Sequence, residues 1–234
     1  YDGTAFYNTG LAGARTHDAQ ICGFNTGYSA AMWEGLSSAD LQKYFGSREA
    51  AEEFLGPEKE NFLTVANHVR PHSEGEVRLA SADCTAPPEL RMGYFSDPRD
   101  VAAMTAIMRR ALEVGRAIPE LGPLFVPACL REKHGVREGQ TEFSDAFFED
   151  FARHFALTVY HPTSTCRIGD VVDPRLRVKG IEGLRVVDAS VMPDIISGNT
   201  NAPCIMIGEK GAEMIARDNG TALAEFVDAP RARL

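Results

Sequence analysis

Between Leu184 and Ala216 the chain carries an ordered set of signals: an apolar run, a loop punctuated by glycine and proline, then a periodic apolar segment. Leu184-Arg185-Val186-Val187-Asp188-Ala189-Ser190 reads as a short buried strand ending in an acidic residue and two small ones. Ser197 and Gly198 interrupt the run that follows, Pro203 suits the first position of a helix, and that helix is expected over about Cys204 to Ala216. Strand, loop and helix make one α/β unit, and in open sheets cofactors sit at the carboxyl ends of the strands. The loop Gly198-Asn199-Thr200-Asn201-Ala202-Pro203 therefore feeds a helix N-terminus. Unpaired backbone N–H groups and the positive end of the helix dipole favour an anion or an electron-rich oxygen there. On their own residues, Asn199 and Asn201 read first as turn and capping residues, and Asp188 reads either as a site residue or as an ordinary turn residue.

A second signal lies upstream, in Tyr160-His161-Pro162-Thr163-Ser164-Thr165. A proline restricts the residue before it to extended backbone, so the His161 imidazole is held on a strand end or a loop. Histidine as a residue type titrates nearest neutrality, which lets it take a proton from a hydroxyl group and later return it. Alone, one histidine of six reads either as a base or as a satisfied structural residue.

Taken together, HPTSTCRIG, VVDPRLRVKGIEGLRVVDASVMP and SGNTNAPCIMIGEKGAEMI resemble the carboxyl-terminal signature of the glucose-methanol-choline oxidoreductases, and of choline dehydrogenase-like members in particular. The resemblance is close over residues 160 to 217. It continues more loosely through Arg70-Pro71-His72-Ser73-Glu74-Gly75-Glu76-Val77-Arg78-Leu79 and Tyr94-Phe95-Ser96-Asp97-Pro98-Arg99-Asp100, similar to the family's substrate-domain sheet and the helix after it. It implies an FAD-dependent alcohol oxidase or dehydrogenase that passes the carbinol hydride to flavin N5. By the same resemblance His161 is the catalytic base, Asn199 its partner, and Tyr160 faces the substrate. Thr200, Asn201, Ala202 and Pro203 would lie along the isoalloxazine, with Asp188 and Ala189 near the ribityl and pyrophosphate part. Same-fold lyase or decarboxylase chemistry, or a noncatalytic substrate-cap module whose partner holds FAD, are the alternatives.

The implied fold is α+β with an α/β part. An antiparallel substrate-domain sheet with flanking helices is expected over 1–159, and over 160–234 a strand-loop-helix that completes an FAD-binding domain. The family's G-x-G-x-x-G fingerprint occurs nowhere in the 234 residues; Thr9-Gly10-Leu11-Ala12-Gly13-Ala14 lacks its third glycine. The chain also starts at Tyr1, so we expect a fragment or one of two chains, lacking the amino-terminal FAD-binding half and binding flavin weakly by itself.

A formal net charge of -9 argues against nucleic acid or an acidic membrane as partner; the resemblance implies a small-molecule alcohol as substrate. No apolar run approaches the roughly 18 residues of a membrane span. The five cysteines show neither CxxC nor ligand-like spacing, imply no metal, and favour free thiols in a reducing compartment.

Upstream, short strands with glycine turns are expected over 1–28, with His17-Asp18-Ala19-Gln20-Ile21 as one strand and His17 structural. Two short helices are expected over 37–55, with Ser38 and Ser47 as caps and Gly46 between them. Trp33, Leu36, Leu41, Tyr44, Phe45 and Phe54 either pack in the core or line an entrance. Segments 62–69 and 75–81 read as a hairpin. Asp97, Pro98 and Asp100 suit N-cap, N1 and N3 of a helix whose Val101, Met104, Met108, Ala111 and Leu112 share a face. A loop over Pro119 to Gly139 then precedes a helix started by Ser144, with Phe147, Phe148, Phe151 and Phe155 on its buried side.

Overall fold

A computed structural model describes residues 3–11, 16–25, 37–55, 62–118, 121 and 124–221. Trp33 and Leu36, and the side chain of Phe54, lie outside what is described. The chain divides into two compact units, Tyr1–Val159 and Tyr160–Leu234.

In the first unit, strands β1 (Gly3–Tyr7), β2 (Ala19–Asn25) and β3 (Phe62–His68) form an antiparallel sheet in that order. Helices α1 (Ser38–Phe45) and α2 (Arg48–Leu55) lie between β2 and β3 in the sequence. Ser37, not Ser38, caps α1, because the reciprocal bonds of a capping box need an acid at the third helical position and only Ser37 has Asp40 there. Ser47 accepts the Ala50 N–H at the start of α2, and Gly46 ends α1 with φ 83°, a left-handed conformation that glycine adopts without steric cost. Leu41 is buried, Tyr44 meets Phe155 and Phe45 meets Phe125, each with ring centroids 5.0 Å apart, so these side chains pack.

Segments 62–69 and 75–81 do not form a hairpin. Strand β4 (Glu76–Arg78) pairs instead with β5 (Glu89–Arg91) in a separate two-stranded sheet. The reason lies in Asp100, whose buried carboxylate accepts the backbone N–H of His72 at 2.8 Å and of Ser73 at 2.7 Å, while Ser73 Oγ accepts the Asp97 N–H. These bonds tie the turn to the start of helix α3 (Pro98–Arg116), capped by Asp97 with Pro98 in its first turn, and carry the chain away from β3.

Helix α3 organises the unit through two faces. Ile107 and Ala111 pack on Ala19, Ile21 and Ala66 of the sheet, and Met108 and Leu112 join a second cluster. That cluster contains Phe147 and Phe148 of helix α5 (Asp145–Phe155), Leu130 and Phe143, with Phe151 and Phe155 against it. Leu130 belongs to helix α4 (Ala128–His134), inside the stretch expected to be loop. Its burial at 1 % exposure explains why seven residues bounded by Pro127 and a left-handed Gly135 hold a helix: packing supplies what length does not.

The second unit is mostly loops ahead of helix α6 (Asn201–Asp218). The strand expected over Leu184–Ser190 does not form. Residues 176–178 and 184–186 exchange only the Val178-to-Leu184 and Val186-to-Leu176 bonds around the glycine turn, and Ala189–Val191 is a single 3₁₀ turn capped by Asp188. The run is apolar because Val186, Val187, Ala189 and Val191 join the core of Val172, Leu176, Met192 and Ile207, not because it sits in a sheet. Helix α6 starts earlier than Cys204, so Pro203 is its third residue and not its first; proline is tolerated there because first-turn N–H groups have no intrahelical acceptor.

Candidate active site

Within the second unit the loop after His161 is fastened to the 3₁₀ turn by three backbone bonds: Ser164 N–H to Ala189 O, Cys166 N–H to Ser190 O, and Ile168 N–H to Val191 O. Asp188 stiffens that turn, its Oδ1 accepting the Ser190 N–H at 2.8 Å and the Ser190 hydroxyl at 2.5 Å. Asp188 and Ala189 therefore brace the loop that follows the imidazole. At its far end α6 is anchored by Asp218, which pairs with Arg175 and Arg185. Burial draws the Asp218 pKa upward, and the two guanidinium groups more than offset it, leaving the carboxyl below its ordinary value. Gly211, midway along α6, lies so close to the loop that an added Cβ would stand 2.2 Å from Val187 Cγ1. The helix start is thus held at a set height beside His161.

His161 and Asn199, 38 residues apart in sequence, meet with Asn199 Nδ2 at 2.9 Å from the imidazole Nε2. Nδ1 lies 3.1 Å from the Tyr160 carbonyl oxygen and 3.0 Å from Thr200 Oγ1. A carbonyl only accepts, so in the neutral ring the proton belongs on Nδ1 and the lone pair on Nε2, facing the Asn199 amide. The ring is fixed through both nitrogens and presents its basic one beside a hydrogen-bond donor. Tyr160 meets His161 through its backbone; its side chain is 85 % exposed, and its φ of 62° is unusual for a residue other than glycine.

Thr200 sits at the N-cap of α6 but makes no side-chain bond to the helix. Such a bond ordinarily contributes about 0.5–2 kcal/mol. The role of its hydroxyl was not legible from the sequence; the one pointer is a hydroxyl residue directly after Asn199. Asn201 and Ala202 follow in the first turn, both exposed, and the first intrahelical bond closing on Thr200 O comes from Cys204. The N–H groups of Asn201 and Ala202 therefore have no i−4 acceptor within the helix.

The residues match a family model described as GMC oxidoreductase over positions 71–208, more than half of the chain. Among curated relatives, an alcohol dehydrogenase [acceptor] of Pseudomonas putida is 42% identical over 154 residues, 63% of this chain and 26% of its own length. A choline oxidase of Arthrobacter globiformis is 37% identical over 206 residues, covering 82% of this chain and 36% of its own length. The chain thus spans about a quarter to a third of these relatives. Among solved structures, a formate oxidase of Aspergillus oryzae RIB40, studied for FAD modification, superposes with a TM-score of 0.61 at 26% identity, over 90% of this chain and 33% of that one. Family model, relatives and fold agree: the chain belongs to the GMC oxidoreductase family.

Proposed function

We propose that this chain is the carboxyl-terminal part of an FAD-dependent oxidoreductase that converts an alcohol CH–OH group to a carbonyl, with His161 as the base. One observation carries the reading: the His161 imidazole sets Nδ1 against the Tyr160 carbonyl and the Thr200 hydroxyl and turns Nε2 to the Asn199 amide. Nε2 is then the atom that takes the substrate hydroxyl proton. Asn199 holds the oxygen as negative charge develops on it, where a hydrogen-bond donor lowers the barrier most. Loss of the hydroxyl proton raises electron density on the carbinol and eases departure of its hydride.

The residues suit a flavin. The donors at the start of α6 are backbone N–H groups of Asn201 and Ala202 at a positive dipole end, the chemistry that stabilises negative charge on a reduced isoalloxazine. Thr200 to Pro203 would border the ring, and Asp188 and Ala189 the ribityl and pyrophosphate part. FAD, when bound, supplies the hydride acceptor at N5. Residues 1–159 would form the substrate-binding part and 160–234 the return to the FAD-binding domain, its amino-terminal portion lying outside this chain.

The test is turnover of choline, benzyl alcohol and primary aliphatic alcohols by the complete protein with an artificial electron acceptor. We expect carbonyl product in step with acceptor reduction. Cleavage or decarboxylation without acceptor reduction would replace alcohol oxidation with lyase or decarboxylase chemistry.

A further inference from the structure

Thr200 combines two properties that do not fit a capping residue. Its backbone is helical, with φ −84° and ψ −4°, where a capping threonine is ordinarily extended, and its hydroxyl makes no bond to α6. It is also buried, at 7 % exposure, and a buried hydroxyl takes a partner. The partner is His161 Nδ1 at 3.0 Å, the nitrogen that also faces the Tyr160 carbonyl at 3.1 Å.

We propose that Thr200 is a positioning residue that fixes the tautomer of His161, its hydroxyl serving the imidazole and not the cofactor. The inference rests on the reading of His161 as base. A neutral imidazole carries one N–H on either nitrogen, and only the ring protonated at Nδ1 has an acceptor at Nε2; the other tautomer has nothing there with which to take a proton. Thr200 Oγ1 and the Tyr160 carbonyl both accept from Nδ1–H, and two acceptors on one side bias the proton to that side. The hydroxyl's own proton stays free to point elsewhere. Because the Tyr160 carbonyl remains when Thr200 is altered, the bias weakens without vanishing. A neutral hydrogen bond of this kind is worth a factor of roughly 3 to 10 in such an equilibrium.

The experiment uses the complete, flavin-loaded protein with ¹⁵N-labelled histidine, the His161 signals being assigned by their loss in His161→Ala. Nitrogen chemical shifts then report which ring nitrogen carries the proton. We expect Nδ1–H in the unaltered protein, a growing share of Nε2–H in Thr200→Val, and return of Nδ1–H in Thr200→Ser. With benzyl alcohol or choline, whichever reduces the flavin, Thr200→Val should slow the reduction step in proportion to the Nδ1–H share it loses, at most about 2-fold while that tautomer stays the major one, with substrate affinity unchanged and Thr200→Ser restoring the rate. Nε2–H in the unaltered protein overturns the proposal without recourse to any variant. So does a Thr200→Val protein whose share of Nε2–H is no larger than that of the unaltered protein, whether or not it is slower. Failure of the base reading shows differently, as full-rate flavin reduction in His161→Ala, and leaves the nitrogen shifts of the unaltered protein as they are.

Discussion

A single imidazole is held by three neighbours with different chemical capacities, and those capacities assign its roles. The Tyr160 carbonyl can only accept, the Thr200 hydroxyl can do either, and the Asn199 amide offers a donor to the remaining nitrogen. In the proposed reaction, removing the amide would leave the base in place but deprive the developing oxyanion of a donor. Asn199→Ala should therefore slow alcohol oxidation by about 10-fold to 100-fold, the worth of one hydrogen bond to a charged group, a smaller loss than in His161→Ala, and steady-state turnover of the two variants side by side checks the order. Asp100 is the other residue whose environment dictates its behaviour. Burial pushes its pKa up, but the bonds from His72, Ser73 and the neighbouring His68 hold it below the ordinary aspartate value. A carboxylate depressed on folding contributes stability above its unfolded pKa of about 3.9, and that contribution is lost as pH falls through the lower folded value. Asp100→Asn should cost about 2–3 kcal/mol near neutrality and flatten the acid side of the stability profile below about pH 4, as read by urea unfolding across pH. An unchanged acid limb would mean that other carboxylates govern it.

Among the elements, α6 and its seat on the Val187 loop set the height of the helix start beside His161. Gly211→Ala would gain up to about 1 kcal/mol in helix propensity, yet its new Cβ would meet Val187 Cγ1 at 2.2 Å, and overpacking of that kind costs about 1–3 kcal/mol. The balance is a net loss, and trimming Val187→Ala in the same protein should recover most of it, a coupling that thermal unfolding of the double-mutant cycle measures. The elements also show what a sequence discloses and what it withholds. The caps at Asp97 and Ser144, and the phenylalanine face of α5, are local signals and were legible. So is the Asp40 that selects Ser37 over Ser38, three residues downstream of the cap. Strand pairing is not local. The partner of β4 is set by Asp100 gripping the turn, and the apolar run at Val186–Val187 looks the same whether it faces a ladder or a loop core. Helix α4 was hidden for a related reason, its support coming from phenylalanines that follow it in the chain. At the site, the meeting of His161 with Asn199 could be anticipated from motif. The turn of the Thr200 hydroxyl away from its helix could not, since it depends on a backbone angle.

At the scale of the molecule, two units carry different burdens. The first is built on an antiparallel sheet and α3, and the second on loops folded around a small aliphatic core that presents His161 and the start of α6. All five cysteines are free, and among the described residues no helix is long and apolar enough to cross a membrane. The chain spans about a quarter to a third of its curated relatives and has no glycine fingerprint for a dinucleotide. A few first-turn N–H groups are a poor grip for a whole FAD. The 234-residue chain alone should therefore elute from gel filtration without the visible absorbance of flavin, while the complete protein retains it; stoichiometric flavin on the chain alone would refute that division of labour. The base assignment is reached most directly by rapid-mixing measurement of flavin reduction in the complete His161→Ala protein, with flavin content verified beforehand. Proton removal by a positioned base accounts for about 10² to 10⁴ in rate, so reduction should fall by that factor. Reduction at the unaltered rate, in a variant that still holds its flavin, would remove His161 from the role of base.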